Sequence, residues 1–371
     1  MFQMQNFYRK RVTDYIDAQR PDGGFTETSP YVGIDDNGLG ANSGPIGWDS
    51  IPILVMHLYR EYGDISLVQE SYNAITNWIR FLVQTSTSLI EHGLSDWMNV
   101  ETGGNVQRLT GHVFLYVNLK SFSEMSNLLG HDSWGTWATS MAQGVMQNIN
   151  NLFLADDGTY TDHTSFNLTQ CGQAMPLYHN LVPENARDSV MSKLYDSLGT
   201  PQVLRVGMFC MGPLLSSLNI STAYKIAVAN SDYPSFGYML NQNATTVWES
   251  WFYSNNTFSH NHPMFGGGLA SWMIRDLAGI SQREWSVAYS HIWFRPRSPC
   301  HLDPDKGDMF DGVNVTFRSP VRDDILSIWS LSEKTFEFVV PQGAVADVDL
   351  PDRETYLVGP GAYVVNDVDW C

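Results

Sequence analysis

The residues of this chain best suited to chemistry lie in Asn243-Ala244-Thr245-Thr246-Val247-Trp248-Glu249-Ser250-Trp251, followed by Ser259-His260-Asn261-His262-Pro263. One acid, Glu249, stands between two indoles, with two hydroxyls before it and two histidines after it. Desolvating a carboxylate favours its neutral form and raises its pKa, which suits a group that exchanges a proton near neutral pH. Flat aromatic faces beside an acid also match the apolar faces of a sugar ring. Trp248 and Trp251 are three apart, so the same residues equally fit a helical core stripe with Glu249 turned to solvent.

Other acids and aromatics recur in segments that read as loops: Asp36, Trp48, Asp49, Asp96, Trp97, Asp162 and His163. A single loop aspartate is ordinarily a helix cap or turn former, and Asp49 stands where it could cap a helix starting near Ser50. The co-occurrence is what points to chemistry. Breaking a glycosidic bond needs a proton donor for the leaving oxygen and a second carboxylate that activates water or attacks, and no cofactor. Glu249 is the first candidate for one of the pair. His262 is a candidate for bonding a sugar hydroxyl or orienting Glu249, with His260 weaker. Trp48, Asp49, Asp96, Trp97, Trp248 and Trp251 complete the expected substrate-binding set. Few basic residues fall on these loops (Arg108 is one), which argues against a lyase or epimerase acting on a uronate.

There is no Walker loop, GxGxxG, HExxH or GxSxG. Cys171, Cys210, Cys300 and Cys371 lack CxxC spacing, so no metal and no cofactor are expected, and their pairing stays open. With 21 Lys and Arg against 39 Asp and Glu the net charge is -18, which argues against nucleic acid or an anionic membrane as partner and for a neutral or weakly charged ligand. No run of about 18 apolar residues suggests a membrane span. The first residues lack the apolar region of a signal peptide, whereas sequons at Asn167, Asn219, Asn243, Asn255 and Asn314 lean toward secretion.

The elements that must position these residues are helical as far as residue 282. Apolar spacing predicts helices over 2–20, 50–62, 66–84, 110–129, 134–154 (capped by Ser133), 168–180, 185–198, 205–218, 220–231 and 266–278. Alternating short and long connections pair them as antiparallel hairpins. The loops 22–49, 92–109, 156–167 and 232–264 gather the acids and aromatics on one side, as a closed α/α toroid would. From 283 to 371 the period changes to short β-branched and aromatic runs at 287–295, 313–318, 325–331, 335–340, 345–349, 355–358 and 361–365, a small antiparallel sandwich.

An ordered set of segments carries a family likeness. It comprises Asp17-Ala18-Gln19-Arg20-Pro21-Asp22-Gly23-Gly24, Gly47-Trp48-Asp49, Leu58-Tyr59-Arg60-Glu61-Tyr62-Gly63-Asp64, Asp96-Trp97, Ala244 to Trp251, Asn261-His262, Leu277-Ala278-Gly279-Ile280 and Ile292-Trp293-Phe294-Arg295-Pro296. In this order they resemble the α-L-rhamnosidase-type inverting glycoside hydrolases. The resemblance implies an (α/α)6 toroid, incomplete at its N-terminus here, followed by a β-sandwich. It implies hydrolysis of terminal α-L-rhamnosyl linkages with inversion, Glu249 as the base that activates water, and His262 in the sugar site. The family keeps its general acid in an acidic, arginine-containing segment upstream of the first matched helix, and this chain starts after it. The expectation is therefore a donor on a separate chain or segment, or a loop acid such as Asp49 or Asp96 in its place. The alternative is a fragment or non-catalytic carbohydrate-binding relative.

Overall fold

The computed structural model describes residues 4–30, 44–45, 50–86, 90, 93–252, 258–299 and 310–371. Among them are eleven α-helices and eight strands. The helices are α1 (Gln5–Asp17), α2 (Ile51–Tyr62), α3 (Ile65–Thr85), α4 (Gln107–Leu128), α5 (Asp132–Phe153), α6 (Gln170–Tyr178), α7 (Arg187–Ser197), α8 (Met211–Ser217), α9 (Ile220–Tyr224), α10 (Phe236–Asn241) and α11 (Pro263–Trp272). Single π-type turns, Lys225–Ala229 and Met273–Leu277, extend α9 and α11.

Local sequence sets the helix ends. Gly63, in the left-handed region at φ 74°, closes α2. The next residue, Asp64, caps α3 by accepting from the Ser66 N–H at 3.0 Å. Ser133 does not cap α5: the helix starts one residue earlier, at Asp132, and no side chain caps it. The stretch 205–210, expected as helix, precedes α8 and runs alongside residues 97–100 instead, with Val100 N donating to Arg205 O (2.8 Å) and Met208 N to Trp97 O (3.0 Å). Backbone bonding across the chain overrides the helical pattern there.

The helices sort into two layers. α2 packs on α4, α4 on α6, α6 on α8 and α8 on α11, while α3, α5 and α7 each pack against the inner helix beside them in sequence. Burial agrees with this order. Every residue of α6 from Gln170 to Leu177 is buried, as an inner element requires, whereas α5 buries one stripe, Ala138, Ala142, Val145, Ile149 and Phe153. The result is the expected layering of helical hairpins.

The strands are β1 (Ile280–Gln282), β2 (His291–Phe294), β3 (Gly312–Arg318), β4 (Asp324–Ser330), β5 (Thr335–Val340), β6 (Val345–Val348), β7 (Tyr356–Val358) and β8 (Gly361–Val365). They form two sheets, β1-β2-β6-β7 and β3-β4-β5-β8. Phe294 of β2 meets Phe336 and Phe338 of β5 at 6.0 and 5.0 Å between ring centres, so the sheets face each other across an aromatic core. Two details differ from the sequence reading. β1 was missed, which moves the start of the sheet to residue 280. One pair, β2 with β6, is parallel, because the chain crosses through the second sheet between them.

The two parts are joined at Leu277-Ala278-Gly279. Trp329 Nε1 donates to Leu277 O (3.2 Å) and Ser327 Oγ to Ala278 O (2.6 Å). Gly279 has φ 73°, and a Cβ there would sit 2.1 Å from Pro296 N, so glycine alone fits the junction. The end of α2 is held from the other side by Ala288 N on Arg60 O at 2.7 Å.

Candidate active site

Glu249 lies in the connection between α10 and α11. Two backbone bonds make the connection double back: Glu249 N donates to Ser259 O (2.9 Å) and His262 N to Val247 O (2.7 Å). The Thr246 hydroxyl donates to His260 O in the same ladder. His262 is the residue before α11, with Pro263 as the first helical residue, where a missing N–H does no harm.

Within this ladder the indoles and the acid point to different environments. Trp251 is fully buried, its ring edge-on to Phe236 and Phe265 and its Nε1–H donating to Val206 O at 2.8 Å. Trp248 is 4% exposed and stacks on His260 with ring centres 5.3 Å apart. Both therefore hold the loop in place. As sugar platforms they are corrected, because a face inside the core is closed to a ligand. Glu249 between them is half-buried. One carboxylate oxygen accepts from Trp97 Nε1 at 3.3 Å and the other from Ser259 N at 3.0 Å. Each oxygen keeps lone-pair capacity for a further partner.

Asp96 also differs from its expected role. It is 1% exposed, and its carboxyl accepts three backbone N–H groups, from Gly207 (2.6 Å), Phe209 (3.1 Å) and Cys210 (3.0 Å). Burial pushes it up to about 7 against the pull of those bonds. Asp96 thus fastens the 207–210 stretch beneath Trp97, and Trp97 in turn reaches Glu249. Glu101 lies nearby, also pushed up to about 7, first by burial, with Cys171 N–H opposing and the Asp96 charge adding. Asp162 is committed elsewhere. Burial works to raise it, but the Ser165 hydroxyl and the N–H groups of Thr164, Ser165 and Phe166 outweigh that and hold it below the usual range. Arg108 sits 3.3 Å from it.

His262 is half-buried, and its buried Nε2 has no hydrogen-bond partner among the described residues. Trp48, Asp49 and Asp36 lie outside the described residues.

Two contributors were not singled out from sequence. Cys171 and Cys210 form a disulfide, Cα atoms 5.3 Å apart, tying the start of α6 to the start of α8 just where Asp96 grips the chain. Asp96, Cys171 and Cys210 lie close together, but the sulfurs are bonded to each other, which leaves a single ligand atom for a metal. Gly207 is the second: a Cβ there would fall 1.9 Å from Trp97 O. No sequence pattern marks it, since the close approach is made by a segment 110 positions away.

Against known families, residues 1–277 match the model of the bacterial alpha-L-rhamnosidase 6 hairpin glycosidase domain. The chain belongs to that family. An alpha-L-rhamnosidase of Streptomyces avermitilis is 26% identical over 382 aligned residues, covering 95% of this chain and 34% of the relative. One from Formosa agariphila is 26% identical over 330, covering 82% and 34%. This rhamnosidase-family chain thus spans about a third of the length of the curated relatives it matches. Among solved structures, an alpha-L-rhamnosidase from Dictyoglumus thermophilum superposes with TM-score 0.84 at 24% identity, over 97% of this chain and 43% of that one. The Streptomyces avermitilis alpha-L-rhamnosidase complexed with L-rhamnose gives 0.80 at 22%, over 98% and 38%. These likenesses establish the fold, a six-hairpin helical domain followed by a β-domain, as the sequence led us to expect.

Proposed function

We propose that this chain carries the water-activating half of a glycoside hydrolase active site that releases terminal α-L-rhamnose with inversion, Glu249 acting as general base. The observation that carries the reading is the presentation of Glu249. Its carboxylate is half-buried, bonded by one N–H on each oxygen, and set between two buried indoles that anchor the segment in the core. A base needs just this: a defined direction toward a water molecule and free lone pairs to take its proton. Trp97 and His262 flank it as the sugar-contacting residues of this reading, and Asp96 acts through Trp97 as a positioning residue. The names of the family and of its relatives supply the sugar.

Inversion requires a second carboxyl group about 6.5–9.5 Å from the base, leaving room for water beneath the ring. Asp96 and Asp162 are occupied by backbone N–H groups. Glu101 is likewise engaged by the Cys171 N–H (3.1 Å), so the donor in this reading is Asp36, Asp49 or an acid on another segment or chain. A binding-only role is the weaker reading, because the curated relatives that match most of this chain are named as hydrolases. Incubating the protein with p-nitrophenyl-α-L-rhamnopyranoside and following the released sugar by proton NMR tests the proposal. The expected first product is the β-anomer. Release of the α-anomer refutes inversion, and L-rhamnose binding without any release refutes hydrolysis by this chain.

A further inference from the structure

A second site lies well away from Glu249. The π-type turn that extends α11 begins ten residues after Pro263, so at ~1.5 Å per residue Arg275 stands roughly 18 Å along the helix from the His262 loop. There, between α8, the end of α11 and the β1-β2 sheet, is a cleft of about 170 Å³ into which Arg275, Arg295 and Arg297 converge. We propose that this cleft binds a small organic carboxylate, of the kind carried by a sugar acid.

The charges make the case. Arg295 is matched: its Nε is 3.0 Å from Asp349, and its guanidinium lies over the Trp293 ring, 4.9 Å from the centre. Among the described residues, Arg275 and Arg297 have no carboxylate within ion-pair distance. The one acid lining the cleft, Asp276, accepts from the Ser216 hydroxyl at 3.0 Å and acts on all three guanidiniums at longer range, one negative charge against three positive ones. Arg275 also acts at longer range on Glu61, which sits outside the cleft. The cleft's own environment resists its cations: Arg297 is pulled down by burial and then by Arg295, with Asp349 and Asp276 only partly compensating. A bound anion relieves that repulsion. In a chain with 39 acids and 21 bases, three arginines lining one cleft, two of them without an ion-pair partner among the described residues, run against the overall balance.

The lining selects the anion. Guanidinium forks match a carboxylate in two parallel bonds, which a lone lysine cannot do. Hydroxyls from Ser271, Ser281 and Tyr178 stand around the same space and suit a polyhydroxylated body. The Trp293 ring is already engaged by two guanidiniums, Arg283 at 4.3 Å and Arg295 at 4.9 Å from its centre, so it is not free to stack a neutral sugar. Recognition therefore falls on charge and hydroxyls. This inference does not rest on the reading of Glu249.

Isothermal titration calorimetry on the full chain tests it, with sodium D-glucuronate, acetate, inorganic phosphate and D-glucose as separate titrants. Saturable binding of glucuronate is expected, with acetate weaker and glucose silent. Affinity is expected to drop severalfold between about 50 and about 300 mM NaCl, as a solvent-accessible charge contact should. Arg297→Gln and Arg275→Gln are each expected to weaken glucuronate at least tenfold, with Arg297→Lys in between. The lysine variant and the salt series keep the test alive should a glutamine variant misfold. No binding of glucuronate overturns the proposal. So does affinity untouched by salt or by both glutamine variants, by glucose binding as tightly, or by phosphate binding more tightly than the carboxylates.

Discussion

Asp96 offers the sharpest test of how the Glu249 loop is supported. Its carboxyl is buried, accepts three backbone N–H groups and is pushed from 3.8 up to about 7 by burial. A carboxyl with a raised folded pKa holds its proton in the folded state and has lost it in the unfolded state between those two values. Stability therefore falls as pH rises through that window and levels off above it. A rise of about 3 units corresponds to about 4 kcal/mol. Integrated between pH 5 and pH 8, Asp96 alone removes about 2–3 kcal/mol of stability. Asp96→Asn abolishes that contribution, leaving a smaller slope from Glu101, which titrates in the same direction. The amide also sets an N–H against a backbone N–H, so the variant is expected to be weaker by about 1–3 kcal/mol at pH 5. Urea unfolding of both proteins at intervals from pH 5 to pH 8 reads both quantities. Equal slopes for wild type and Asp96→Asn would refute the reasoning.

Further outcomes follow from the same strut. Trp97→Phe removes the N–H on Glu249 while keeping an aromatic ring; a bond to a charged acceptor is worth about 1.5–3 kcal/mol, so kcat/KM is expected to fall roughly ten- to a hundredfold with the unfolding midpoint nearly unchanged. Gly207→Ala drives a methyl into Trp97 O and is expected to destabilise by about 3 kcal/mol, the upper end for overpacking, measured by denaturant titration, with activity lost alongside. Removing the Cys171–Cys210 disulfide, by Cys171→Ala with Cys210→Ala, frees a span of 39 residues and is expected to lower stability by about 4 kcal/mol, seen as a shifted denaturant unfolding curve under non-reducing conditions.

Helix positions were legible because burial on one face writes itself into spacing: Ile75, Trp78, Ile79 and Leu82 run down the buried side of α3, and the predicted ends fall within a residue of Ile65–Thr85. The stretch 205–210 misled because its apolar residues run on into the pattern of α8, yet three of its N–H groups are claimed by Asp96, more than a hundred positions upstream. No local pattern encodes such a partner. β1 was missed because three residues are too few to show alternation. Around the candidate site, residue type singled out Glu249 and His262, but could not separate buried walls from accessible side chains. Trp248 and Trp251 look like sugar platforms in sequence, and only packing against His260, Phe236 and Phe265 shows them to be supports. Asp96 reads as a site acid for the same reason, since a carboxylate that grips a backbone and one that faces a ligand are the same letter.

The central claim is that Glu249 activates water, and Glu249→Gln tests it most directly. Glutamine keeps the size and can still accept from Trp97 Nε1 and Ser259 N through at most one of its two terminal atoms, but it cannot take a proton. Turnover of p-nitrophenyl-α-L-rhamnopyranoside and L-rhamnose binding by calorimetry are measured on the same preparations. The account predicts a kcat lower by about 10²–10⁴-fold, the usual contribution of a general base, with L-rhamnose affinity within a few-fold of wild type. Equal turnover in wild type and Glu249→Gln would contradict it.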